Sequence, residues 1–120
     1  PASAQKEKTI DVDKDGDFHT RSALNVGGNT INAGMYRIYQ VFENNEHFIV
    51  IRKVGMSNYW RSMGTLKVGD EVARLKTTVR SGYQHNRNTK IVVRRNSANE
   101  RFAFAVWFRG DGSEHILPVH

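Results

Sequence analysis

The sequence predicts an all-β domain, a small, strongly twisted antiparallel barrel or sandwich with one short helix near residues 57–63. Three observations carry this. Runs of β-branched and aromatic residues recur with the two-residue period of strands, and clusters of Gly, Asn, Asp and Ser punctuate them. Only one short segment has a helical pattern. With 120 residues the chain is long enough for a single core, and with no cysteine it has neither disulfides nor thiolate metal sites.

Residues 1–8 are small, polar and charged and are expected to form a disordered arm, followed by one β domain over residues 9–120. The arm has no hydrophobic segment of the kind that directs secretion, and no apolar run could span a bilayer, so an intracellular protein without membrane contact is expected. Thr9–Val12 begins a short strand, the acidic segment to Phe18 reads as a turn, and Ala23–Val26 is a second short strand. Residues 27–34, rich in Gly and Asn, read as a loop. Met35–Phe42 and His47–Val54 form a hairpin around Glu43–Glu46. Phe48–Ile51 is apolar on both faces and belongs in the middle of the fold.

Ser57 can cap a helical turn that Gly64 stops, with Tyr59, Trp60 and Met63 on one side. Leu66–Val72 reads as a turn into a strand, with its corner at Gly69–Asp70. Thr89–Arg95 is a strand and Asn96–Asn99 a hairpin turn. In Arg101–Arg109 the alternation places Phe102, Phe104, Val106 and Phe108 on the core face. Arg101, Ala103, Ala105, Trp107 and Arg109 take the other. Glu114–Val119 is a last strand with Pro118 at a sheet edge.

The formal charge of +6 is unevenly spread. Residues 1–51 hold five Lys/Arg against seven Asp/Glu, whereas residues 52–109 hold thirteen against three. Segregated positive charge suits a polyanion. Within this block, Val72–Arg80 read as one strand puts Arg74, Lys76 and Arg80 on one face. If the strands from 71 to 109 form a consecutive meander, these cations lie beside Lys90 and one of Arg94 and Arg95. Arg101 and Arg109 flank small residues that admit a backbone, and Trp107 offers a stacking platform. The loop between the basic strands adds Tyr83, His85 and Arg87 as hydrogen-bonding and stacking groups.

These residues point to a non-enzymatic nucleic-acid-binding domain, DNA or RNA, with single-stranded or flexible nucleic acid favoured because no recognition helix is evident. Two other readings compete. One is a structural or assembly subunit, of viral type for example, that self-associates or meets an acidic partner. The other is a metal-independent nuclease in which His85 or His115 moves a proton.

No cofactor is expected. The five histidines lack metal-ligand spacing. Asp11, Asp13, Asp15 and Gly16 have the spacing of the first half of a calcium-binding EF-hand loop, but Ser22 occupies the position that needs a bidentate glutamate. An acidic turn is therefore expected there, and no metal.

Overall fold

The computed structural model describes residues 7–56, 66–82 and 87–118. Most of the expected arm and the whole of the helical turn expected over 57–63 lie outside these residues. Among the described residues there are strands and no helix.

The smaller sheet has the order β2 (Asp17–Thr20), β5 (Gly34–Glu43), β6 (Glu46–Met56), β7 (Leu66–Lys76). Its centre is the predicted hairpin. Asn44 and Asn45 both take left-handed φ values, 50° and 63°, as a two-residue hairpin turn of matching twist requires. Ile49 and Ile51 point into the core and are 0% and 1% exposed, while Val50 is equally buried on the opposite face. Each such side chain contributes about 1.5–3 kcal/mol by leaving water, which is why this apolar-both-sides segment sits between two neighbours. The corner expected at Gly69–Asp70 is absent. β7 runs through it as one strand, and the irregularity there is a register shift: between Arg52↔Glu71 and Val54↔Val68 the extra residue falls within Gly69–Asp70, with a second shift at Val72.

In the larger sheet, β1 (Lys8–Asp11), β9 (Lys90–Arg95), β10 (Arg101–Trp107), β11 (Ser113–Ile116) and β8 (Thr78–Ser81) lie side by side in that order. β3 (Leu24–Val26) pairs in parallel with the start of β10 and antiparallel with β4 (Asn29–Ile31). The latter hairpin lies within the segment read as a loop, and Gly27 and Gly28, at φ 56° and 88°, turn it.

The two sheets face each other across one core to which both contribute, including Phe18, Ile38, Ile49, Leu75, Ile91, Val106 and Leu117. They are separate hydrogen-bonded sheets, so the closed barrel is corrected and the sandwich alternative stands. The consecutive meander is corrected as well. After β7 the chain passes through a single residue, Thr77, into β8 and so leaves one sheet for the other. The backbone N–H of Thr77 donates to the His47 carbonyl at 3.1 Å. β8 then pairs with β11, not β9.

A bulge in β10 overturns the predicted alternation. Its register against β9 jumps from Ala103↔Val93 to Ala105↔Val92, leaving Phe104 as the extra residue. The Phe104 carbonyl accepts the Leu117 N–H at 2.9 Å. Inward positions are therefore Arg101 and Ala103 before the bulge and Val106 after it, followed by the buried Phe108 beyond the strand's end. Phe102 and Phe104 are only half-buried, and Ala103 belongs to the core.

Candidate nucleic-acid interface

The stripe of Arg74, Lys76 and Arg80 does not exist as one surface. Arg74 and Lys76 lie on the outer side of the smaller sheet, while Arg80 lies past the Thr77 crossing in β8. The first two are embedded in carboxylates. The hairpin brings Glu43 directly opposite Glu46, a like-charge pair that costs stability. Arg74 binds Glu43 at 2.9 Å and Glu71 at 3.0 Å, and Lys76 binds Glu46 at 3.2 Å. The hydrogen bond from Arg74 holds the Glu71 carboxyl below its ordinary range despite the opposing effect of desolvation. This ladder of charges ties β5 to β7 through their neighbours. It presents as many carboxylates as a polyanion would have to displace.

A different set of the predicted cations converges on the outward face of the larger sheet. Directly opposite residues share a face. Lys90 is opposite Trp107, Trp107 opposite Glu114, and Glu114 opposite Arg80. Lys90, Trp107 and Arg80 thus lie in one row across β9, β10, β11 and β8. Arg94 follows Lys90 on the same face, four residues along a strand, or about 13 Å. Its guanidinium carbon sits 4.2 Å from the Phe104 ring centroid, a cation–π contact. Trp107 is half-buried. Arg80 lies 3.6 Å from Glu114, and Arg94 binds Glu7 at 2.6 Å. The register also decides between Arg94 and Arg95, because only Arg94 shares the face of Lys90.

Arg95 and Arg101 face the other way. They are Cα partners on the inward side, one step beyond Val93 and Ala103, where the core ends. Arg101 is therefore not beside Trp107, contrary to the simple alternation. Arg109 is exposed just after β10, and its backbone N–H donates to Thr89 Oγ1 at 3.1 Å. Arg87 is exposed before β9. Tyr83 and His85 lie outside the described residues.

The remaining polar features are mostly accounted for locally. Asp13 Oδ1 accepts the N–H groups of Asp15 and Asp17, both at 2.9 Å, and closes the acidic turn onto backbone. Asp17 makes a two-point ion pair with Arg37, 2.6 and 3.0 Å, across β2 and β5. His115 is fully buried; its Nε2 lies 3.1 Å from Asp111 Oδ2, and its ring is edge-on to Phe108. Burial pulls the Asp111 carboxyl upward. The bond and charge of His115, with bonds from the Ser113 N–H and Gln40, outweigh it and leave Asp111 below its ordinary range. The His47 ring lies 5.7 Å from that of His115, tilted by 50°. Among the described residues no cluster of three His, Asp or Glu could hold a metal.

The sequence reading missed Lys8, Arg21 and Ser22, which line a groove beside Arg95 and Arg101. Counting charge by segment concealed them, because Lys8 and Arg21 belong to the net-acidic first part of the chain. Compared with protein-family models, curated proteins and solved structures, the chain matches none.

Proposed function

We propose that this protein binds single-stranded or flexible nucleic acid along the outward face of β9, β10, β11 and β8. The observation that supports this reading is the register, which sets Lys90 against Trp107 with Arg80 and Arg94 on the same face. Three cations around an aromatic side chain suit a strand whose phosphates follow the cations while a base stacks on the indole. The patch measures about 13 Å along β9 and about 14 Å across three strand spacings. That accommodates a few stacked nucleotides at about 3.4 Å each. The Arg94–Glu7 pair is exposed on both sides and worth only about 0–1 kcal/mol, so it yields to phosphate. Glu114 is buried, but its contact with Arg80 is long at 3.6 Å and leaves the exposed guanidinium with further N–H donors for a phosphate.

Titration of labelled single-stranded DNA and RNA at several salt concentrations tests the reading. Three phosphate contacts predict a log–log salt slope of about −2, and Lys90→Ala/Arg94→Ala should reduce its magnitude by about 1.4. The Arg74→Ala/Lys76→Ala variant should leave the slope unchanged. Absence of binding at low salt, or a loss confined to the Arg74/Lys76 variant, refutes the proposal.

A further inference from the structure

We propose that the end of the sandwich carrying Arg95 and Arg101 is a second, separate site that binds one tetrahedral oxyanion, the phosphate of a phosphomonoester. The site lies on the opposite face of the larger sheet from Trp107 and at the other end of β10, so it does not depend on the strand-binding surface. Its residues were partly visible in the sequence, but their arrangement was not.

The first reason is an unresolved repulsion. Arg95 and Arg101 are directly opposite each other in the β9–β10 ladder, where like charges destabilise. Lys8 is opposite Val93, one step from Arg95 on the same side, and adds a third cation. Arg52 is held by the Tyr39 hydroxyl and the Gly69 carbonyl, whereas Arg37, Arg74, Arg80 and Arg94 each hold a carboxylate. Here, among the described residues, neither guanidinium has one within ion-pair distance. Arg95 Nη1 donates only to Asn99, to its side-chain oxygen at 3.2 Å and its carbonyl at 3.4 Å. Arg101 Nη1 donates to Ser22 Oγ, and Arg101 Nε is buried with no acceptor. A charged N–H donor left without an acceptor is costly, and an anion held by the accessible N–H groups of these guanidiniums is the simplest group to offset their uncompensated charge.

The second reason is shape. Arg95, Arg101 and Ser22 form the wall shared by two grooves of about 620 and 440 Å³. Among the described residues, Lys8, His19 and Arg21 line the larger one, where Asp11 is the only carboxylate, and Glu100 is the only carboxylate on the smaller. Four cations, Lys8, Arg21, Arg95 and Arg101, therefore converge on a cavity with a single Asp on its wall. This excess favours a dianion over a carboxylate or a phosphodiester. Guanidinium forks match the paired oxygens of a phosphate, and the Ser22 hydroxyl supplies a further donor.

The test uses the whole chain and inorganic phosphate, titrated at constant ionic strength against chloride and followed by thermal unfolding and by the NMR signal of Arg101 Nε–H. Saturable stabilisation and a shifted Nε–H signal are expected. Arg101→Gln should weaken phosphate binding about tenfold or more, as loss of a charge-assisted bond implies. Arg21→Gln, at an exposed residue lining the larger groove, does the same without touching the ladder, which guards against an Arg101 variant that fails to fold. Arg109→Gln, which removes the same charge elsewhere, should have no effect. Two further arms sort the source of the phosphate: a sugar monophosphate, and a dinucleotide with and without a 5′-phosphate. Tighter binding of either phosphorylated compound supports the site and identifies which kind of ester it takes. Phosphate that stabilises the wild-type chain no better than chloride does, or that stabilises Arg21→Gln and Arg101→Gln as strongly as wild type, overturns the proposal.

Discussion

Replacing Asp17 by Ala should destabilise the fold by about 2–3 kcal/mol. The Asp17 side chain is 3% exposed and that of Arg37 is 30% exposed, and the two share a fork-like pair of bonds between directly opposite residues of β2 and β5. Breaking a buried ion pair by removing one partner typically costs about 3–5 kcal/mol, because the other charge is left stranded. Arg37 is partly open to water and recovers some hydration, which lowers the figure to the value given. Asp17→Asn keeps one acceptor and should cost about half as much. Asp17→Leu/Arg37→Met removes both charges and should return close to wild type. Urea unfolding measures all four proteins. With an m value of about 1.5 kcal/mol/M, the Ala variant shifts the midpoint down by about 1.5 M. If Asp17→Ala lies within about 0.5 kcal/mol of wild type, the pair does not clamp β2 to β5 and the reasoning is refuted.

Two further outcomes follow from local geometry. Gly16 has φ 92°, and a Cβ there would come 2.6 Å from the Ile38 carbonyl oxygen, so Gly16→Ala should cost about 2 kcal/mol in urea unfolding. Gly82, at φ 97° with no other described residue within 4 Å of such a Cβ, should lose only the conformational part, about 1 kcal/mol, for the same change. Asp111 titrates below its ordinary range in the folded state, so between its folded and unfolded values the unfolded chain binds more protons and stability rises with pH. Its contribution is therefore complete above the ordinary carboxylate range and is lost as pH falls through the depressed value. Asp111→Asn should flatten stability against pH in that acid window, as read by thermal unfolding, and an unchanged profile refutes the assignment.

The sequence alone determined most of the strand content, because side-chain alternation and turn residues are local properties, but the short β2 and β4 were hidden in Asp-, Gly- and Asn-rich stretches. The Asn44–Asn45 hairpin and the central burial of Ile49–Ile51 follow from left-handed turn propensity and from a segment apolar on both faces. The charge imbalance was equally legible, as was the presence of Trp107, Lys90, Arg94 and Arg101 among the candidates. What required the tertiary structure was every question of side. A single bulge at Phe104 reverses which residues of β10 face the core, and a one-residue crossing at Thr77 divides the cations of Val72–Arg80 between two sheets. Insertion of β11 between β10 and β8 brings Arg80 into a row with Trp107, although the two are far apart in sequence. Carboxylate partners from distant strands decide which cations are neutralised, and Glu43 and Glu46 on Arg74 and Lys76 are the clearest case. Strand pairing is non-local, and its side-chain period is two, so one residue of slippage or one exchanged neighbour moves a group to the opposite face. The sequence therefore determined which chemistry the protein carries, and only the register decided where that chemistry converges.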